Sequence, residues 1–176
     1  MIKLRLTGKR VIMLAEEGFD DLELWYPVIR LREEGCEVVI VGSGTNNSYK
    51  GKRGLPVDVD KNVDEVSSKE FDGIIVPGGW APDKLRRYDS VKKLVEDFAK
   101  ENKLLATICH GGWVFISAGV IKDYKMTCVN AIIDDVKNAG ANYVDNEVVV
   151  DRNLITSRTP KDLPAYMRAI IDYLDK

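Results

Sequence analysis

Short apolar runs alternate with longer amphipathic segments along most of the chain. Four runs have the length and aliphatic content of buried strands, and they cover residues 10–15, 36–41, 71–76 and 104–108. Apolar positions at helical spacing predict helices over residues 22–34, about 90–102 and about 162–174. Strands that alternate with helices in this way indicate an α/β fold with a parallel sheet.

The remaining segments predict smaller elements. Residues 113–118 and 134–139 have helical patterns, residues 125–129 form a short apolar run, and residues 147–157 read as a hairpin that turns near Arg152. Residues 50–61 are polar and rich in glycine, which indicates a small hairpin or an excursion rather than a linker. A length of 176 residues suits one domain, so we expect residues 1–176 to fold as a single unit.

The run over residues 104–108 leads directly into Cys109, His110 and two glycines, and His110 is the only histidine in the chain. A buried strand that turns sharply into a helix presents a nucleophile at a strained tip and needs small residues nearby. Thr107 stands where the hydrolase form of this nucleophile elbow has its first glycine. We therefore predict that Cys109 is a nucleophile and that the following helix favours its thiolate. The alternative is a small buried cysteine with no chemical role.

A second glycine pair, Gly78 and Gly79, follows the predicted strand over residues 71–76. Glycines allow backbone N–H groups to approach a ligand, although they also occur in plain tight turns. Parallel strands end at the same edge of a sheet, so Gly78 or Gly79 and the backbone N–H of His110 are candidates for an oxyanion hole. Neither GxGxxG nor GxxxxGK[ST] occurs, so no phosphate-binding loop is predicted.

Charge and cysteine content limit the classes of partner and cofactor that the chain is expected to bind. The net charge is −2 and charges of both signs are interspersed, which gives no basic surface for nucleic acid and no acidic tail. We therefore expect a small molecule, a peptide or a second copy of the chain as the partner. Cys36, Cys109 and Cys128 have no CxxC spacing, so neither a disulfide framework nor a zinc site is predicted, and no cofactor is expected. Residues 1–5 lack an apolar signal segment and no run is long enough to span a membrane, so a cytoplasmic location is expected.

Five motifs, in order along the chain, resemble those of the DJ-1/PfpI superfamily, most closely its intracellular protease I (PfpI-like) branch. The motifs are FDDLEL and YP (residues 19–24 and 26–27), VPGGWAPD (76–83), ICHG (108–111), ISAGV (116–120) and SRTPKDL (157–163). The resemblance covers nearly the whole chain. It implies a flavodoxin-like three-layer sandwich with a mostly parallel central sheet, similar to class I glutamine amidotransferases.

The resemblance also implies roles for four residues. Cys109 would be the nucleophile, and Glu23 from the first loop would hydrogen-bond its sulfur; the alternative for Glu23 is a solvated acid in the first turn of a helix. His110 would point toward a subunit boundary. Asp83 occupies the position of a glutamate that completes the triad from a neighbouring subunit in the protease branch, and it is one methylene shorter. A helix-capping role is the alternative for Asp83.

These roles predict a PfpI-like intracellular cysteine hydrolase, a peptidase in which Cys109 attacks a carbonyl, His110 moves the proton and Glu23 acts as general acid or base. Two alternatives stay open: a glyoxalase III or protein deglycase acting on α-oxoaldehydes such as methylglyoxal, and a redox or stress sensor or chaperone without turnover. The resemblance, with the aromatic loop around Trp80, predicts a homo-oligomer, either a dimer or a larger assembly such as a hexamer.

Overall fold

The computed structural model describes residues 4–176 as strands that alternate with helices. The prediction about the amino-terminal segment rests on residues 1–5, of which the first three lie outside the described residues. The strands are β1 (Arg10–Ala15), β2 (Glu37–Gly42), β3 (Ser48–Lys50), β4 (Pro56–Asp58), β5 (Lys61–Asn62), β6 (Gly73–Val76), β7 (Leu104–Ile108), β8 (Lys125–Met126), β9 (Asn142–Tyr143), β10 (Val148–Asp151) and β11 (Leu154–Ser157). The α-helices are α1 (Asp21–Glu33), α2 (Ala81–Leu85), α3 (Asp89–Lys100), α4 (Gly112–Ser117), α5 (Ile133–Asn138) and α6 (Leu163–Leu174).

Seven of these strands form the central sheet, in the order β10-β11-β7-β6-β1-β2-β5. Every neighbouring pair is parallel except the pair of β10 and β11 at one edge. Helices α1 and α6 contact each other, and α2, α3 and α5 each contact α4, so two groups of helices flank the sheet. The predicted flavodoxin-like sandwich with a mostly parallel central sheet is confirmed.

The apolar runs become the inner strands because helices cover both faces of a parallel sheet. All five residues of β7 are buried, and so are all four of β6. Helix α3 buries apolar residues at helical spacing, so only one of its faces is covered by the protein. These residues are Val91, Leu94, Val95 and Phe98.

Two predicted hairpins are present, and one predicted strand is largely wrong. Strands β3 and β4 pair antiparallel within residues 50–61 and just before them, and β10 pairs antiparallel with β11. The strand predicted over residues 125–129 ends at Met126 and pairs with β9 in a separate small sheet. It ends there because the N–H of Thr127 donates to the side-chain hydroxyl of Thr156 at 2.9 Å, and the chain then enters a 3-10 turn.

The loops after β1 and β6 leave neighbouring strands at the carboxyl edge of the sheet. The chain leaves β1 through α1 to reach β2 on one side, whereas β6 lies on the other side of β1. Ligands of open α/β sheets bind in the crevice that such a change of direction creates. Here the two loops contact each other, because Phe19 and Gly79 form an isolated β-bridge and Trp80 N–H donates to the carbonyl of Gly18 at 2.7 Å.

The contact between these loops predicts a large effect of a side chain at Gly79. Gly79 and Gly119 both have positive φ, +81° and +69°, but a Cβ on Gly79 would lie 2.4 Å from the backbone nitrogen of Asp20, whereas a Cβ on Gly119 meets nothing within 4 Å. Gly119→Ala should therefore lower the free energy of unfolding by about 1 kcal/mol and Gly79→Ala by about 3 kcal/mol. Urea unfolding compares the two variants, and equal losses would contradict this account of the loop contact.

Candidate active site

Cys109 lies at a sharp turn between β7 and α4. Its φ is +60°, in the left-handed region that residues other than glycine seldom adopt, and it begins a 3-10 turn over Cys109–Gly111. Such a conformation persists only where the surrounding structure imposes it. The structure therefore has the strained strand-to-helix turn that the sequence predicts at this position.

Thr107 and Gly111 explain how the turn forms without the first glycine of the hydrolase pattern. The hydroxyl of Thr107 donates to the carbonyl of Val76 at 3.2 Å, and a Cβ on Gly111 would lie only 2.1 Å from that hydroxyl oxygen. The threonine side chain thus occupies the space that Gly111 leaves open. Gly111 is therefore the position in this turn that must be a glycine. Thr107 adds a hydrogen bond to the neighbouring strand.

Glu23 is fully buried in the first turn of α1, so it is not the solvated acid of the alternative interpretation. Asp20 caps this helix, since its carboxylate accepts the N–H groups of Leu22 and Glu23 at 3.1 and 3.3 Å. The backbone N–H of Gly78 donates to Oε2 of Glu23 at 2.7 Å. A Cβ on Gly78 would lie 2.3 Å from that oxygen and 2.7 Å from Cβ of Cys109, so Glu23 and Cys109 meet at this glycine.

The hydrogen bond between Gly78 and Glu23 contradicts the prediction that Gly78 is an oxyanion donor. Because its N–H is already given to the Glu23 carboxylate, Gly78 is not free to bind a developing oxyanion. The backbone N–H groups of His110 and Gly79 instead face the sulfur of Cys109, and both lower the pKa of its thiol. Gly79 and His110 therefore remain the candidate oxyanion donors, and Gly78 positions Glu23.

The Glu23 carboxyl and the Cys109 thiol both hold their protons more strongly than usual. Burial, and then the charge of Asp20, raises the pKa of Glu23 to about 7, although Gly78 N–H and Lys52 oppose the shift. Burial, and then the charge of Glu23, raises the pKa of Cys109 to about 12. In the resting site the thiol is therefore not acidic as predicted, because burial and a neighbouring carboxylate both favour its neutral form.

The two groups titrate as a pair. When Glu23 accepts a proton, the negative charge that opposes ionisation of Cys109 disappears, and the carboxyl can then donate to the sulfur. Oε1 of Glu23 has no hydrogen-bond partner of good geometry within residues 4–176. The arrangement therefore suits transfer of the thiol proton to Glu23 at the moment when the sulfur forms a new bond.

His110 lies beside the sulfur within the same chain. Its Nδ1 is 3.3 Å from Sγ of Cys109, and its ring packs edge-on against Trp113 with 5.1 Å between ring centroids. The ring is half-buried, and burial, followed by the charge of Lys52, lowers the pKa of His110. The imidazole is therefore neutral at neutral pH and can accept a proton.

Asp83 lies in α2, a short helix that the sequence analysis missed, and is exposed. Its carboxylate pairs with Arg87, and within residues 4–176 it makes no hydrogen bond to His110. Asp83 and His110 nevertheless line the same surface pocket, which has a volume of about 410 Å³ and is also lined by Trp80 and Trp113. A single chain therefore brings the two residues to the same opening without connecting them, and the role of Asp83 in a neighbouring subunit stays a prediction.

Sequence reasoning missed Asp20 and Lys52 as members of the site. Asp20 is 1% exposed, and Nζ of Lys52 lies 2.8 Å from its Oδ2. The position of Asp20, three residues before Glu23, is a signal for a helix cap that the sequence does contain. Lys52 comes from the loop between β3 and β4, and no local pattern indicates that this loop folds onto α1.

No cluster of three or more His, Cys, Asp or Glu side chains suited to a metal ion occurs in residues 4–176. Within the same residues, no helix has both the length and the apolar character to cross a membrane.

The fold and the site together define a flavodoxin-like α/β protein with a cysteine at a nucleophile elbow beside a buried carboxyl group. The family model described as "DJ-1/PfpI family" matches residues 9–173, and the chain belongs to this family. "Deglycase TK1284" of Thermococcus kodakarensis is 46% identical over 165 residues, which cover 94% of this chain and 99% of the relative. "Putative cysteine protease YraA" of Bacillus subtilis is 37% identical over 167 residues, which cover 95% of this chain and 99% of the relative.

A solved structure agrees with this assignment. A two-domain protein from Anabaena variabilis, with DJ-1/ThiJ/PfpI-like and ferritin-like domains, superposes with a TM-score of 0.93 at 42% identity. The match covers 95% of this chain and 48% of that protein.

The geometry predicts which cysteine reacts with an alkylating agent. Burial raises the pKa of all three thiols to about 12, but only Cys109 is partly exposed and lies beside groups that can take its proton. Iodoacetamide should therefore label Cys109 before Cys36 and Cys128 in the folded protein. Peptide mapping after short reaction times measures the order, and earlier labelling of either buried cysteine would contradict the prediction.

The burial of Glu23 also predicts a pH-dependent loss of stability. The folded chain keeps the Glu23 proton up to about pH 7, whereas the carboxyl ionises near 4.5 when the chain unfolds. The folded state therefore binds more protons between these values, so stability falls as pH rises. Relative to Glu23→Gln, the unmodified chain should lose up to about 3 kcal/mol across this range.

Urea unfolding at several pH values between 4 and 8 measures this difference. Glu33→Gln, which changes an exposed acid of the same helix, is the control and should leave the pH dependence unchanged. A difference between Glu23→Gln and the unmodified chain that is the same at every pH would mean that Glu23 ionises normally.

Proposed function

We propose that this protein is a deglycase-type enzyme that acts on α-oxoaldehydes and on their adducts with amines, with Cys109 as its nucleophile. The observation that carries the proposal is the buried Glu23 carboxyl beside Cys109, whose pKa of about 7 suits a group that takes and returns a proton near neutral pH. Relatives of similar length that are named deglycases support the same class of enzyme.

The first step joins the sulfur to the aldehyde carbon. Glu23 takes the thiol proton, the sulfur forms a C–S bond, and the carbonyl oxygen becomes an alkoxide that faces the N–H groups of Gly79 and His110. Return of the proton to this oxygen gives a hemithioacetal. From an amine adduct, R–NH–CH(OH)–CO–CH₃, the sulfur displaces the amine, which leaves as R–NH₂ with the proton that the thiol gave up.

The second step moves hydrogen within the bound molecule. A base removes the proton from the carbon that bears sulfur, and the ketone oxygen gains a proton, which gives an enediol. The enediol then takes a proton at the second carbon while the hydroxyl on the sulfur-bearing carbon gives up its own, and a thioester of lactic acid results. Hydrolysis of this thioester releases lactate and restores the thiol. The net change is methylglyoxal plus water to lactate, so no oxidant or cofactor is consumed. Glu23 and the neutral His110 are the two bases beside the sulfur.

Peptide hydrolysis is the second candidate. The contact between His110 Nδ1 and Cys109 Sγ at 3.3 Å favours it, and so does the relative named as a cysteine protease. Amide cleavage must expel a protonated amine, which needs a histidine oriented by an acid. Because Asp83 is paired with Arg87 in the single chain, that acid would have to come from an assembled oligomer. We therefore propose a homo-oligomer, with the exposed Trp80 at the contact, as the condition for this activity.

Three variants separate the two activities. Cys109→Ala should abolish every turnover, and Glu23→Gln should lower lactate formation from methylglyoxal by about 10²-fold or more, because proton transfer contributes that much to rate. Asp83→Ala should leave methylglyoxal turnover within a few fold and reduce cleavage of a fluorogenic peptide much more. Asp89→Ala, which removes another exposed acid nearby, is the matched control.

Each of these measurements has a result that would contradict the proposal. Equal losses on both substrates in Asp83→Ala would point to one shared triad and contradict the proposed separation. Unchanged turnover in Cys109→Ala would overturn the assignment of the nucleophile. Light scattering at micromolar concentration tests the oligomer, and a monomeric mass would remove the source of an acid from a second subunit.

A further inference from the structure

Three buried carboxyl groups lie at the start of α1: Asp20 caps the helix, and Asp21 and Glu23 are in its first turn. Asp20 and Glu23 form a pair, because the charge of Asp20 acts on Glu23, whereas Asp21 accepts backbone N–H groups of the loop between β3 and β4. Asp20 is 1% exposed and Glu23 is not exposed at all. Two neighbouring carboxylates in a low-dielectric environment do not both ionise readily, because each charge opposes the other. One lysine reaches this pair: Nζ of Lys52 lies 2.8 Å from Oδ2 of Asp20, while the guanidinium of Arg53 is 4.0 Å away.

The backbone holds Lys52 in this position. Its N–H donates to the carbonyl of Phe19 at 2.9 Å, and the N–H groups of Arg53 and Leu55 both donate to the carboxylate of Asp21 at 2.9 Å. The loop between β3 and β4 is therefore bonded to the first turn of the helix that carries Glu23. The side chain of Lys52 is 30% exposed, so its ammonium lies at the mouth of the site rather than in bulk solvent.

The other groups that face Glu23 carry no permanent charge. Gly78 presents its N–H, Cys109 its thiol, and α6 presents the fully buried hydroxyl of Tyr166, whose pKa burial raises well above its ordinary value. Lys52 acts on Glu23 and Cys109 as well as on Asp20, and it also influences His110. Lys52 is therefore the cation that lies nearest to the pair, and Arg53 contributes at longer range.

We propose that Lys52 is a positioning residue of the site: its ammonium pairs with the Asp20 carboxylate and so sets the charge beside Glu23, the carboxyl that exchanges a proton with Cys109. This assignment rests on the proposed function, in which Glu23 takes the thiol proton. Asp20 remains an acceptor for the helix N–H groups and the lysine, and it takes no part in proton transfer.

The charges of Lys52 and Asp20 act on Glu23 in opposite directions. Without the ammonium, the unpaired Asp20 anion opposes ionisation of Glu23 more strongly, so the pKa of Glu23 rises. Without the Asp20 charge, the remaining ammonium favours ionisation, so the pKa falls. Removing both charges together brings the pKa back toward its starting value. A structural role alone would give no such change of sign.

Titration of Glu23 by carbon NMR tests the proposal without relying on turnover. The protein is labelled at glutamate side-chain carboxyl carbons, and the Glu23 signal is identified by its loss in Glu23→Gln. Lys52→Met should move the titration midpoint up by about one pH unit, Asp20→Asn should move it down by about one, and the double variant should return it to within about half a unit. Asparagine can still cap the helix, so Asp20→Asn keeps the local fold.

Lys50→Met is the matched control, because Lys50 is an exposed residue of the same hairpin, and it should leave the midpoint unchanged. Lys52→Arg should restore most of the original midpoint. If Lys52→Met and Lys50→Met give the same midpoint as the unmodified chain, the proposal is wrong. A shift of the same sign in Lys52→Met and Asp20→Asn would also overturn it, because it would reflect a general loosening of the site.

Activity separates this inference from the proposed function. The acid limb of the methylglyoxal pH profile should move with the NMR midpoint in each variant. If the midpoints move as expected but the unmodified protein forms no lactate, the deglycase proposal fails while the charge balance set by Lys52 holds. If lactate forms but the pH profile does not follow the Glu23 midpoint, the function stands and the role of Lys52 in proton transfer is excluded.

Discussion

The close approach of two loops at the carboxyl edge of the sheet is the constraint on which the site depends. The loop after β6 can lie against the start of α1 only because Gly78 and Gly79 have no side chains. This approach closes Glu23 off from water and gives its carboxylate one backbone N–H in return. The burial then determines the chemistry, since it raises the pKa of Glu23 into the neutral range.

The sequence was sufficient for the architecture and for the position of the elbow. The apolar runs that become β1, β6 and β7 are short and continuous, as strands covered on both faces must be, and these strands carry the loops of the site. The ICHG motif located Cys109 correctly at the turn. Helix α2 was missed because five residues that include a proline give too little periodicity to recognise.

The thiol of Cys109 shows where local reasoning fails. A helix amino end can be read from the sequence, and it predicts an acidic thiol. Burial and the charge of Glu23 arise only when distant segments pack together, and both raise the pKa of the thiol. The same limit applies to Lys52, whose approach to Asp20 depends on hydrogen bonds between a hairpin loop and the start of a helix about 30 residues earlier in the chain. Electrostatic properties of a site depend on such contacts more than the fold does.

The left-handed backbone of Cys109 sets the proposed reactivity of its thiol against thermodynamic stability. A side chain at a φ of +60° costs about 1–2 kcal/mol, and a glycine at this position would avoid that cost. Selection for heat resistance alone would therefore favour loss of the thiol, and engineering for stability must exclude this position from its search.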